Sequence, residues 1–313
     1  MHRYLRPLAW ATLVANCVLV VTGGAVRLTA SGLGCPTWPR CTEAGFTPHG
    51  ALSLHSAVEF GNRTLTFILS AIAIATFLAA WDSGRRDLRR LALVLALFIP
   101  AQAVIGGVTV LTDLNPWVVS FHLLSSMAII GVAVLFLRRL DGPGVRVRPG
   151  PVTAMAWATF VVGWAVLYLG TVVTGSGPHA GDINAPRNGL DPLQVSQLHA
   201  DLVFLFVGLT LGLVFTLPAV RASAEAVRAA RVLLAVEVLQ GAIGFVQYFT
   251  DLPGVLVGFH MLGAALISAT MTWLLLAVLE QPVVAQPVPV QAAGALPLSP
   301  APSRPTSSQP GSR

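Results

Sequence analysis

The chain has 313 residues, of which 55% are apolar and only 10% charged, and its mean hydropathy is +0.75. A soluble globular chain is about a quarter charged, so this one cannot coat a water-facing surface; a soluble enzyme, a disordered chain and a disulfide scaffold are excluded. All nineteen basic residues are Arg, against thirteen acidic ones, and they sit in short loops rather than in a stripe interleaved with aromatics, which reads as membrane topology and not as a nucleic-acid surface.

Eight apolar runs follow in order: 8–26, 56–81, 91–111, 117–137, 153–174, 195–220, 232–249 and 255–279. They approach or exceed the length that crosses a bilayer as a helix. The first has a basic start, as a signal peptide does, but its apolar region is long and no A-x-A site ends it. It is read as a helix. Arg3 and Arg6 precede it; Arg85, Arg86, Arg89 and Arg90 lie between spans two and three, and Arg138, Arg139, Arg146 and Arg148 between four and five. Arg221, Arg228 and Arg231 separate spans six and seven, whereas the alternate loops hold only Arg27, Arg40 and Arg187. The positive-inside rule then puts both termini in the cytoplasm of a multi-pass cell-membrane protein. Residues 281–313, with eight Pro, show no apolar periodicity and read as a disordered cytoplasmic tail.

The chain repeats itself. Gln102-Ala-Val-Ile-Gly106, Asp113-Leu114 and Phe121-His122 recur at an offset of 138 as Gln240-Gly-Ala-Ile-Gly244, Asp251-Leu252 and Phe259-His260, and Val21-Thr22-Gly23 recurs as Val173-Thr174-Gly175. The reading is an all-α integral membrane protein of eight transmembrane helices in two pseudo-symmetric four-helix bundles. Residues 1–148 form the first half and 149–280 the second. Four spans per half give both the same orientation, a parallel repeat. Span two slides onto span six either by 144, matching His55 with His199, or by 137, matching Asn62 with His199. The second register needs almost no insertion and is preferred.

Of seven histidines, His2, His49 and His179 fall in loops. His55, His122, His199 and His260 lie at or inside the membrane, where ionisable groups are costly and mark function. His122 is six residues past Pro116 and His260 six past Gly254, each roughly 9 Å below its helix start. Two histidines from neighbouring helices, facing one another inside an apolar bundle, suit an axial haem pair. The bland alternative is hydrogen bonding between helices. No Cys or carboxylate cluster joins them, which disfavours zinc. On span two, His55, Glu59 and Arg63 share one face at i, i+4, i+8, with Asn62 beside it. Glu59 is either the ion-pair partner of Arg63 or a carboxylate stationed beside a reacting group. Cys17 is a small apolar residue of span one. Cys35 and Cys41 bracket a Pro-kinked loop on the oxidising side and are expected to form a disulfide, structural or redox-active.

Residues 21–39, Val-Thr-Gly-Gly-Ala-Val-Arg-Leu-Thr-Ala-Ser-Gly-Leu-Gly-Cys-Pro-Thr-Trp-Pro, resemble the first-loop signature of haem A synthases, as do Glu59-x-x-x-Arg63, His122, His199 and His260. The resemblance covers spans one to eight and implies two halves, each with a haem pocket. It further implies oxidation of the C8 methyl of haem O to a formyl, giving haem A for terminal oxidases. One position departs: where the family has Glu-x-x-His-Arg, this chain reads Glu59-Phe-Gly-Asn62-Arg63. Haem b is therefore assigned to the second half, on His199 and His260. Substrate haem O is assigned to the first half, with His122 toward its iron, Glu59 and His55 as further catalytic candidates, and Asn62 and Arg63 lining the pocket. Expected partners are the haem O synthase that supplies the substrate, oxidase assembly factors, an electron acceptor of unknown identity and the lipid bilayer. The competing reading is a di-haem b-type electron carrier, which needs two histidines in both halves. A transporter and a membrane thiol oxidoreductase fit less well. The first wants broken helices at the midplane, and the second wants another cysteine pair.

Overall fold

The computed structural model describes residues 2–43, 45–47, 53–142 and 144–281; His49 and all but the first residue of the Pro-rich tail lie outside them. Eight helices long and apolar enough to cross a membrane run in order: α1 Leu5–Leu28, α2 Leu54–Asp82, α3 Arg86–Leu111, α4 Pro116–Arg139, α5 Pro151–Ser176, α6 Pro192–Ala219, α7 Ala224–Phe249 and α8 Gly254–Leu279. Their starts are written in the sequence. Pro opens α4, α5 and α6, where its missing N–H costs nothing. Side chains of Ser53, Asn115, Asp191 and Ser223 accept from the first free N–H groups of α2, α4, α6 and α7. Helix α7 begins eight residues before its apolar run, because Ala224–Arg231 is rich in strong helix formers that hydropathy alone does not count.

Helix ends support the register of the repeat. Asp113 and Leu114 both take positive φ, 51° and 60°, and Asp251 and Leu252 repeat this at 58° and 56°. Leu114 N–H bonds Thr109 O at 2.8 Å and Leu252 N–H bonds Gln247 O at 2.9 Å, the same closure displaced by 138. After α2 the left-handed residue is Gly84, and after α6 it is Arg221, a displacement of 137. Non-glycine residues adopt this conformation rarely, so the recurrence at Asp113-Leu114 and Asp251-Leu252 supports the 138 repeat, and the Gly84–Arg221 displacement is consistent with Asn62 standing opposite His199.

Helix α1 packs on α2, α2 on α3, α3 on α4 and α4 back on α1; α5 to α8 close a second ring in the same succession. The rings meet through α1 on α8, α4 on α5 and α4 on α8, within one compact unit, Met1–Pro282. Exchanging each helix for its counterpart leaves this set of contacts unchanged, as a two-fold relation requires.

The core is not centred. Its largest buried side chains, Phe136, Phe206, Leu213, Met271 and Leu274 among them, lie toward the Arg-rich ends of the helices. At that end Arg139 forks onto both carboxylate oxygens of Glu280 at 2.6 and 2.9 Å. Arg138 pairs with Glu225, and Trp273 donates to the same carboxylate at 2.9 Å. A two-residue strand, β1 (Val145–Arg146), pairs antiparallel with β2 (Glu280–Gln281), stitching the link between the halves to the end of α8. At the other end Arg27, Arg40 and Arg187 each donate to main-chain carbonyls. Arg27, on the last turn of α1, bonds Thr174 O at 2.9 Å and the carbonyl of His179, so it ties the first half to the second.

Candidate functional site

The histidines lie at the end away from the core. In α6 no residue before Phe206 is buried, and in α8 none before Gly263; His199 and His260 sit in those stretches. The rings are seated by glycines. A Cβ on Gly170 of α5 would stand 3.3 Å from His199 Cε1, and one on Gly244 of α7 would stand 3.6 Å from His260 Cε1. In the first half Gly106 of α3 has the same relation to His122, at 3.3 Å. At the Gly170 and Gly106 notches the contact is tighter than a Cβ ordinarily allows, whereas at Gly244 it is an ordinary van der Waals contact; all three imidazoles lie against a neighbouring helix. His199 on α6 and His260 on α8 come from diagonal helices of one ring rather than from neighbouring ones, and each imidazole lies against an adjacent helix, α5 or α7. Buried Nδ1 atoms of His122, His199 and His260 have no hydrogen-bond partner of ordinary geometry. Val166 of α5 offers His199 a backbone hydrogen-bond partner, so interhelical bonding is a second use for that imidazole; the Nδ1 atoms of His122 and His260 have none among the described residues. Imidazoles in an apolar bundle, seated by glycine and with spare nitrogens, fit a haem-iron donor set.

The first half is built otherwise. Asn62, opposite His199 in register, accepts a hydrogen bond through Oδ1 from the Thr22 hydroxyl of α1 at 2.8 Å. His55 is exposed at the mouth of α2, and its Nδ1 lies 3.1 Å from Ser31 Oγ. Glu59 and Arg63 form their ion pair. They also hold the 35–41 loop, which spacing alone did not reveal. Glu59 Oε2 accepts from Cys35 N–H at 2.6 Å, while Arg63 donates to the carbonyls of Cys35 at 3.0 Å, Thr37 at 3.3 Å and Arg40 at 3.4 Å. Glu59 is buried, with both oxygens engaged. Cys35 and Cys41 are joined in a buried disulfide, and Trp38 from the same loop packs onto Gly107 of α3. The structure thus gathers Cys35, Cys41, Glu59 and Arg63 into one clamp. His122 lies on α4, and His199 and His260 lie in the other ring.

One buried acid was missed by sequence reading. Glu237 of α7 is 2% exposed; its Oε1 accepts from Thr210 of α6 at 2.7 Å and its Oε2 is unpartnered. A lone Glu in the middle of span seven was the available signal. Its first-half counterparts are Ile99 and Ala73, which pack together in a small apolar cluster. Transplanting them, as Glu237→Ile with Thr210→Ala, removes both polar partners at once, which is near neutral or stabilising. Thermal melting in detergent should show no loss of stability; a large drop would mean that the acid has a partner the fold depends on.

The sequence pattern of a cytochrome oxidase assembly protein family matches residues 6–183. A protein of Listeria monocytogenes named Heme A synthase is 29% identical over 125 residues, 39% of this chain and 41% of the relative. One of the same name from Geobacillus thermodenitrificans is 29% identical over 147 residues, 46% and 44% of the two chains. A third, from Staphylococcus epidermidis, is 23% identical over 224 residues, 65% of this chain and 74% of the relative. The matched part spans less than half the length of the first two.

Proposed function

Because the chain belongs to the cytochrome oxidase assembly protein family, we propose that it is a haem A synthase, a membrane oxidoreductase that converts the C8 methyl of haem O to a formyl. The observation that carries this reading is the asymmetry of a duplicated site. The second half presents two notched imidazoles across one ring, and the first half presents one. His199 and His260 hold one haem b, which supplies reversible one-electron chemistry when bound. His122 receives the iron of the substrate haem O, whose ligation must be weak enough to exchange. Glu59 and Arg63 act on that pocket by fixing the disulfide loop over the mouth of the first ring. His55, at the mouth, and Asn62, at depth, line the path of the substrate. A di-haem electron carrier is disfavoured, because Asn62 is bonded to Thr22 at the place where a second ligand would be needed.

The Arg distribution supports a plasma-membrane protein with both termini cytoplasmic and both haem sites toward the outer side. A haem O synthase supplies the substrate, oxidase assembly factors take the product, and an unidentified acceptor takes the electrons. The test is expression in a host that makes haem O but no haem A. Extracted pigments should then contain haem A; a pool that stays purely haem O and haem B would refute the synthase reading.

A further inference from the structure

The two halves differ most where a second iron ligand would stand. In the second half His199 is seated against Gly170. The shift of 152 that joins Val21-Thr22-Gly23 to Val173-Thr174-Gly175 makes Val18 the counterpart of Gly170. The shift of 137 makes Asn62 the counterpart of His199, a register consistent with the left-handed residues Gly84 and Arg221 that follow α2 and α6. Ligand and notch have both been replaced, whereas His122 and its Gly106 notch are intact. A neutral carboxamide is a poor donor to haem iron. The Asn62 carbonyl oxygen is also taken by the Thr22 hydroxyl at 2.8 Å. This leaves the amide NH2, which makes no hydrogen bond among the described residues, as the free end of the group. Other candidates are placed elsewhere. His55 is seven residues nearer the mouth, roughly 10 Å along α2, beside Ser31; Glu59 and Arg63 are occupied by the loop.

We infer that the first half is a one-sided iron site: His122 is its only protein ligand, and the opposite face, walled by Asn62 and Thr22, takes a small diatomic ligand of the dioxygen class, to which the Asn62 amide donates a hydrogen bond. The inference rests on the haem reading of the first half given above. It adds a ligand position and a residue that stabilises what binds there.

The test uses the purified full-length protein, saturated with haem B, reduced with dithionite and exposed to carbon monoxide. Two haems per chain are expected, one binding carbon monoxide and one indifferent to it. His122→Ala should remove the reactive haem and keep the other. Asn62→His should make that haem low-spin and cut the carbon monoxide-binding fraction at least tenfold. Asn62→Leu, which needs no new ligation to fold, should keep carbon monoxide binding, raise the C–O stretching frequency and speed dissociation several-fold, and Thr22→Val should do so to a smaller degree. Two haems that both ignore carbon monoxide would overturn the inference and leave the haem reading standing. Saturation at one haem per chain, lost in His260→Ala, would overturn the first-half haem site and the inference with it. An Asn62→Leu protein with an unchanged stretch and dissociation rate would overturn the role given to the amide.

Discussion

Replacing either His199 or His260 with alanine is expected to abolish the low-spin haem b spectrum of the purified protein. The two residues enter one ring from diagonal helices, each against its own glycine, Gly170 or Gly244. The Nδ1 of His260 has no hydrogen-bond partner among the described residues, and His199 has the backbone of Val166 beside it. If both imidazoles hold one iron, removing either takes away one of its two protein donors, so the loss should be nearly complete in either variant rather than half in each. The stretches of α6 before Phe206 and of α8 before Gly263 contribute no buried residue, so loss of the macrocycle should also make this end of the ring more open to proteases. His122→Ala is the control: it lies in the other ring and should leave that spectrum in place. A normal low-spin spectrum in His199→Ala or His260→Ala would show that the two do not ligate the same iron.

Glu59→Gln should have the second large effect, and the structure changes what that effect means. The Glu59 carboxylate neutralises Arg63 and accepts from Cys35 N–H, so the substitution removes a charge from a clamp that fixes the whole disulfide loop. Breaking a fully buried pair costs about 3–5 kcal/mol. Arg63 is 25% exposed, which places the cost at or below the lower end. The expected result is a folded protein that keeps haem b on His199 and His260. Its Cys35–Cys41 bridge should be reduced and alkylated much faster than in the parent, and haem O or a hydroxylated product should accumulate. If the bridge is as protected as before while haem A formation collapses, Glu59 acts at the reacting carbon instead, accepting a proton or steadying positive charge there. If both the bridge and the haem O to haem A ratio are unchanged, neither role holds, and His55 and His122 become the catalytic candidates.

Much of this was legible in the chain. Apolar runs gave eight helices to within a few residues except at α7, where Ala, Arg and Glu continue the helix beyond the apolar stretch. Matches at an offset of 138 gave the duplication, and the paired left-handed ends Asp113-Leu114 and Asp251-Leu252 are consistent with it. The choice of Asn62 over His55 as the counterpart of His199 rests on an offset, with which the helix ends at Gly84 and Arg221 are consistent. The disulfide was read from compartment and spacing, and Cys35 and Cys41 are joined. What was not legible depends on contacts between distant segments. The spacing of Glu59 and Arg63 shows a pair on one helix face but not that the loop of Cys35, Thr37 and Arg40 lies across it. Nor does any local pattern say that Gly170, twenty-nine residues before His199, is the surface its ring rests on. Glu237 was visible as a letter but not as a problem, because its one partner among the described residues, Thr210, lies on another helix.

The most direct measurement of the central claim is the pigment content per chain of the protein purified from haem O-producing membranes. The asymmetry between Asn62 and His199 predicts one haem B per chain, retained through purification and lost in His260→Ala, together with a substoichiometric amount of haem O and haem A that is lost in His122→Ala. Two haem B per chain, both low-spin and neither accompanied by haem O or haem A, would contradict the account and identify the protein as an electron carrier.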